Sequence, residues 1–507
     1  MSRLAALDGV FDLAIIGGGI IGAGIARDAA RRGLRVALVE KSDYGSGTTA
    51  GSTRLIHGGL RYLAMLDFRL VRLDLRERET LLRIAPHLVR PLQFMLPFYQ
   101  AGPWRRLKIR AGMWLYDLLS FDKSLPGHCF FNARQVRDSE PGLRAEGLEG
   151  AACYYDAQVD SPERLTIENI LDARAHGAVT LNYVEAVRAV KEHGEICGIW
   201  VRDLEGGDEA LLRARLVVNA SGPWFDRVAA RLGWAGPRRV RTTKGVHLAC
   251  DAVGRSAVVL TSPLDGRLFF VIPWLGYSWV GTTDTDFEGD PAAARATRED
   301  VAYLVDSAAH YFPALRQARI HWTNAGVRAL VMKRGSASSI SRLHRIVSDR
   351  PGLISVLGGK LTGYRAIAEE VVNLACRRLR HRRASDTAEA PLPGGEGSPA
   401  HDHLASIYGS RASAVRALAA LNPELAARLA PEYPDIAAQV VFSVRQEQCL
   451  HVADFIWRRS LLGFQPDQGA RAVETVAAWM AQELGWSEAR RRAEIEACNH
   501  RIQELRP

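Results

Sequence analysis

Gly17-x-Gly19-x-x-Gly22 is the first constellation in the chain with a chemical use. Gly17 permits a tight turn, Gly19 lets backbone approach a pyrophosphate, and Gly22 lets a helix pack close to the preceding strand. The N-terminus of that helix offers free N–H groups and partial positive charge to phosphates. Glu40 follows at the end of the next apolar run, where its carboxylate can accept hydrogen bonds from ribose hydroxyls and disfavours a 2′-phosphate. These residues bind a dinucleotide only if a strand precedes the glycines and a helix follows. The sequence meets both conditions: Phe11–Ile16 reads as a strand, Ile20–Arg32 as a helix stopped by Gly33, and Leu34–Glu40 as a second strand.

The fingerprint does not by itself separate FAD from NAD. Lys41–Thr53 is dense in Gly, Ser and Thr, suited to lining an extended cofactor, and Ser52 belongs to it. Two more strand-to-glycine junctions lie far downstream, Leu216–Ala220 before Ser221-Gly222 and Gly352–Leu357 before Gly358-Gly359. At the second, Gly359, Lys360, Leu361 and Thr362 precede a helix whose N–H groups suit the negative charge of a reduced flavin at O2. Together they favour FAD.

Three junctions so far apart share one sheet only if other segments are inserted between them. The expected fold is α/β. An interrupted Rossmann-like FAD-binding domain is read over residues 1–95, 150–240 and 325–388. An antiparallel substrate cap, read from alternation at Leu268–Ile272 and Tyr277–Gly281, takes 96–149 and 241–324. The Pro/Gly-rich stretch 389–400 reads as a linker, and 401–507 as a C-terminal helical domain.

Bulk properties narrow the class. The chain has 507 residues, 47% of them hydrophobic, and a net charge of +10, which excludes wholesale disorder and favours anionic partners. Seven cysteines with no Cys-x-x-Cys pair argue against zinc and against a disulfide framework, so no metal is expected and a reducing cytoplasm is. Met1–Gly9 lacks the apolar core of a signal peptide, and no long apolar window suggests a membrane span. No basic run with interleaved aromatics points to nucleic acid. On helical spacing Trp104, Leu107, Ala111, Trp114, Leu115 and Leu118 form one stripe, with Arg105, Arg106, Lys108 and Arg110 off it. That pattern suits either an anionic lipid surface or an ordinary core-facing helix.

Beyond the glycine fingerprint, STRLIHGGLRYL from Ser52, YYDAQVD from Tyr154, NASGPW from Asn219, KGVHL from Lys244, GTTDTDFEGDP from Gly281, AGVRAL from Ala325, GGKLTGYR from Gly358 and VRQEQCLHVADFIWRRS in the last hundred residues run through nearly the whole chain. The sequence resembles the respiratory FAD-dependent glycerol-3-phosphate dehydrogenase family. The resemblance implies oxidation of sn-glycerol 3-phosphate to dihydroxyacetone phosphate with FAD reduced. It also implies electron delivery to quinone from the cytoplasmic face of the cell membrane, as a peripheral protein. The oligomeric state, a homodimer among the options, is left open. Departures from the family pattern are Ala329 in place of Pro, Gly363 in place of Thr, Leu343 in place of an acid, and a basic loop Val331–Leu343.

Alcohol oxidation by flavin needs a placed carbon, a base for the hydroxyl proton and a clamp for the phosphate. Within the family-like motifs Arg61, Arg328 and Lys360 are the cations for the phosphate or a developing alkoxide, and Tyr62 adds a hydroxyl. His57 and His247 are the candidate bases. His247 is favoured as facing the flavin, while His57 lines the cofactor or substrate site. Lys41 joins Glu40, Ser52, Ser221, Gly222 and Gly359 among the cofactor contacts. The rival readings are an oxidase for the same substrate using O₂, a related amine or hydroxy-acid oxidoreductase, and a flavin-binding protein without activity.

Overall fold

The computed structural model describes residues 2–100, 102–332, 343–397 and 402–506. The first strand, Val10–Ile16, lies at the centre of a parallel sheet because both its neighbours run alongside it, Val36–Glu40 on one side and Glu209–Asn219 on the other. Leu353–Leu357 and Val179–Asn182 extend the parallel order outward, and Arg345–Arg350 closes one edge antiparallel. A hairpin, Val184–Glu192 with Glu195–Asp203, pairs onto Glu209–Asn219. The three strand-to-glycine junctions thus end side by side at the carboxyl edge of one sheet, the usual place for ligands in such sheets.

Helix Ile20–Arg31 is buried on nearly every side, which its run of Ala and Gly permits. A Cβ at Gly24 would lie 2.9 Å from the Tyr364 ring, so the glycine sets how closely helix Tyr364–Leu379 packs on it.

Among the described residues the second sheet has ten strands, antiparallel apart from one parallel pair between Ala257–Thr261 and Val89–Tyr99. Its spine is the long pairing of Val240–Asp251 with Ile320–Val331. Four expected domain boundaries, at 95/96, 149/150, 240/241 and 324/325, fall inside strands of this sheet: Val89–Tyr99, Leu148–Val159, Val240–Asp251 and Ile320–Val331. Each strand continues its pairing across the expected boundary, with register shifts only at Phe98/Tyr99 and Ala249/Cys250.

The Pro/Gly stretch is a packed strap. Leu392 is fully buried and its N–H donates to the Ile84 carbonyl at 2.9 Å, while a Cβ at Gly394 would lie 2.4 Å from His87 Nε2. Residues 398–400 of the stretch lie outside the described residues. Beyond it come helices His403–Tyr408, Ala412–Leu421, Ala437–Glu447, Val473–Leu484 and Glu488–Leu505, sharing a core that reaches Trp274 and Trp279 of the second sheet.

Helix Pro103–Leu119 buries Met113 and Tyr116, on the face opposite the expected stripe. Trp104, Leu107, Trp114 and Leu118 therefore point outward, 76%, 56%, 69% and 68% exposed, with Phe121 beyond them at 76%. Of the stripe, Leu115 packs partly against the core while these four residues do not. No helix among the described residues is long and apolar enough to cross a membrane.

A dinucleotide cleft and its reactive end

Gly17 has φ of +111°, and a Cβ there would lie 2.7 Å from the Ala220 carbonyl oxygen of the neighbouring strand. At Gly22 a Cβ would lie 1.9 Å from the Gly17 carbonyl oxygen, so no larger residue fits without moving the turn. A Cβ at Gly19 would meet only Thr49 Oγ1, at 3.6 Å, which leaves the backbone open to a phosphate. Glu40 accepts hydrogen bonds from the Gly18 N–H at 2.6 Å and the Ser42 N–H at 2.9 Å, tying the glycine turn to the end of the second strand. Burial pushes its pKa up, and the two amides oppose that shift. Lys41 lays its ammonium 4.3 Å from the Trp224 ring centre, flanking the same cleft.

The cleft runs from this turn along the small, polar segment that ends at Arg54 to Gly358–Thr362. Ser52, Ser221, Gly222, Gly359, Leu361 and Thr362 all line it. Gly222, Gly358 and Gly359 have φ of +55°, +70° and +112°, a conformation that costs other residues energy. An acid at the ribose end, a glycine turn at a helix start and a second glycine turn ahead of helix Tyr364–Leu379 form a donor set that fits an extended flavin dinucleotide.

Arg328, Lys360 and His57 also line the cleft. Arg328 donates to Thr282 Oγ1 at 2.7 Å, to the Thr283 carbonyl at 3.2 Å and to Asp284 Oδ1 at 3.0 Å. Lys360 is paired with Asp74 and sits over the Tyr62 ring, 4.5 Å from its centre. The His57 N–H donates to Thr362 Oγ1 at 3.1 Å, and its ring meets Phe270 edge-on. One strand and two loops from distant parts of the chain thus contribute to the lining of one cleft.

Two expected contacts fall elsewhere. His247 is 1% exposed and lies behind the wall: Nε2 is 3.0 Å from Thr53 Oγ1, and the ring stacks on Trp279. Burial, reinforced by the charges of Arg328 and Arg54, holds its pKa well below the usual histidine range, so it is neutral. Strand Val240–Asp251 is buried on both faces around this position, and His247 meets the cleft wall through its hydrogen bond to Thr53. Tyr62 is 3% exposed and supports Lys360 from behind the wall. The Arg61 side chain and residues 333–342 of the basic loop lie outside the described residues; Leu343, after the loop, lines the cleft, as does Ala329.

Asp74 and Asp284, the partners of the two cations, were not foreseen. Asp74 had a signal: it occupies the same helical stripe as Leu70, Val71 and Leu75. Asp284 lies inside the GTTDTDFEGDP motif, but its pairing with Arg328 joins the connection after Tyr277–Gly281 to strand Ile320–Val331, and spacing does not reveal it.

The family described as FAD dependent oxidoreductase matches residues 12–374, and the C-terminal domain of alpha-glycerophosphate oxidase matches residues 385–491. Glycerol-3-phosphate dehydrogenase of Synechocystis sp. is 38% identical, over 97% of this chain and 95% of its own length. The aerobic glycerol-3-phosphate dehydrogenase of Staphylococcus epidermidis is 33% identical over 98% and 95%. The solved glycerol-3-phosphate dehydrogenase from Bacillus halodurans, complexed with FAD, superposes with a TM-score of 0.82 at 30% identity, covering 99% of this chain and 96% of that one. Likeness at this level over the whole length, with a cleft whose donors suit the cofactor, makes the chain an FAD-dependent oxidoreductase of the glycerol-3-phosphate dehydrogenase family.

Proposed function

We propose that the protein oxidises sn-glycerol 3-phosphate to dihydroxyacetone phosphate and passes the electrons to membrane quinone. The observation that carries this reading is that Arg328, Lys360 and His57 line the same cleft as the dinucleotide turn, with the His57 and Lys360 segments joined by the His57 N–H on Thr362 Oγ1. FAD supplies the hydride acceptor when bound. Gly17 and Gly19 would hold its pyrophosphate, with Gly22 letting the helix pack against that turn, Glu40 would hold its ribose, and the turn Gly359–Thr362 the flavin end.

Arg328 and Lys360, with Arg61 in the same motif set, bind the phosphate and orient the carbinol carbon. Either cation near the oxygen also stabilises alkoxide character as the proton leaves. His57 takes the hydroxyl proton, because its side chain lines the cleft and His247 does not. His247 is a positioning residue: it holds Thr53, which is part of the wall.

The outward stripe of Trp104, Leu107, Trp114, Leu118 and Phe121, interleaved with Arg105, Arg106, Lys108 and Arg110, supports docking on the anionic inner face of the cell membrane. There the reduced enzyme meets quinone. A second reading, an oxidase passing electrons to O₂, is supported by the C-terminal match to alpha-glycerophosphate oxidase.

Anaerobic mixing of the detergent-purified protein with sn-glycerol 3-phosphate tests both. Flavin bleaching reversed by a quinone analogue, and only slowly by air, is the expected result. Fast reoxidation by air with peroxide release favours the oxidase. A flavin that this substrate never bleaches refutes the substrate.

A further inference from the structure

Asp74 is 1% exposed on helix Phe68–Ile84. Its Oδ2 accepts from Lys360 Nζ. Its Oδ1 is buried and has no hydrogen-bond partner among the described residues. The residue placed to supply one is Gly363: a Cβ built there would lie 3.4 Å from Oδ1, and glycine offers nothing.

The other charges around Asp74 are matched elsewhere. Glu77, on the same helix, accepts from Arg365 at 2.6 and 2.8 Å. Asp156, on strand Leu148–Val159, accepts from Arg78 at 2.6 Å and from the Tyr116 hydroxyl at 2.7 Å. Both are carboxylates, so both disfavour a charge on Asp74, and Lys360 is its one cationic contact among the described residues. Burial is the largest influence, followed by the opposing pull of Lys360, and the carboxyl is pushed up to about 6.

We propose that Asp74 is a positioning residue that sets how much positive charge Lys360 presents to the substrate's anionic group. This rests on Lys360 being a substrate contact. With Asp74 ionised, the ammonium is half of a neutral pair held against Tyr62. With Asp74 protonated, the full charge is available to the cleft.

Binding linkage makes the effect reciprocal. Whatever factor Asp74 ionisation takes from substrate affinity, bound substrate returns as a rise in the Asp74 pKa, and a rise of one unit corresponds to a factor of about ten. The sign follows: substrate binding is tighter when Asp74 is protonated, and this advantage is lost as pH rises through the free-enzyme value and the bound-enzyme value above it.

Asp74→Asn mimics the protonated state at every pH. Taking the ratio of wild-type to Asp74→Asn KM for sn-glycerol 3-phosphate cancels the titration of the substrate's own phosphate. The expected ratio is near one at about pH 5 and rises to about ten at about pH 8. Gly363→Ser places a hydroxyl donor beside Oδ1, favours the carboxylate and moves the midpoint of the wild-type-like pH profile down by about one unit. It also serves if Asp74→Asn fails to fold.

Lys360→Met separates this proposal from the reading beneath it. If Lys360→Met raises KM tenfold or more while the ratio stays flat with pH, or the Gly363→Ser midpoint does not move, the role of Asp74 is overturned and that of Lys360 stands. If Lys360→Met leaves KM unchanged, both fall.

Discussion

The C-terminal helical region grips the loop after Glu40 through a buried carboxylate, Asp43, beside a Tyr44–Gln448 hydrogen bond, and removing that carboxylate tests whether the region holds the ribose end in place. Asp43 lies three residues after Glu40 and is 1% exposed. Its Oδ2 accepts from Arg458 Nε and Arg459 Nη1; its Oδ1 accepts from Arg459 Nη2 at 2.9 Å and Asn182 Nδ2 at 3.0 Å. In Asp43→Ala, Arg458 keeps Asp454. Among the described residues Arg459 then keeps one hydrogen bond, to the Glu447 carbonyl at 2.8 Å, and loses its directly paired carboxylate, with Asp454 and Glu447 acting on it only through space. Breaking a buried pair in this way costs about 3–5 kcal/mol.

Burial pushes the Asp43 carboxyl up, but the charges of Arg459 and Arg458 outweigh it and hold its pKa well below the usual range. The stabilisation is therefore fully present above the unfolded-state value of about 3.9 and is lost only as pH falls below it, so melts between about pH 6 and 8 report it without drift. Tryptophan and flavin fluorescence should be followed together through urea and thermal unfolding. The expectation is that Asp43→Ala destabilises by about 3–5 kcal/mol and that FAD release moves to lower denaturant in step. Adding Arg459→Met to an Asp43→Leu background should recover more than half of the loss, since no charge is then stranded at that position. A loss below about 1 kcal/mol, or FAD release that does not follow the unfolding of the helical region, refutes the reasoning.

His57→Asn should lower the rate of anaerobic flavin bleaching by about 10²–10⁴-fold, whereas His247→Asn should lower it about tenfold or less. The reverse order would return the base to His247. Trp104→Ser combined with Trp114→Ser should weaken sedimentation with anionic vesicles about tenfold or more, without changing the melting profile, because both rings are exposed. Binding that persists in this variant places the docking surface elsewhere.

Local chemistry made the first βαβ unit legible. Gly17, Gly19 and Gly22 each meet a steric demand set within a few residues of chain or by the adjoining strand, and Glu40 closes that turn through the Gly18 amide. The outward stripe on Pro103–Leu119 was visible as a periodicity, but the side it faces was not, because packing of Met113 and Tyr116 decides that.

What the sequence determined by itself is therefore the cofactor-binding turn, the succession of strand-to-glycine junctions and the set of cations and histidines available for chemistry. The tertiary structure alone decided which of two histidines faces the cleft, that Lys360 is shared with Asp74, that Arg328 is shared with Asp284, and that the helical region grips the loop after Glu40 through Asp43. The physical reason is range. A glycine's conformational freedom acts within a turn, whereas burial and ion pairing depend on residues hundreds of positions apart that meet only when the sheets and helices pack.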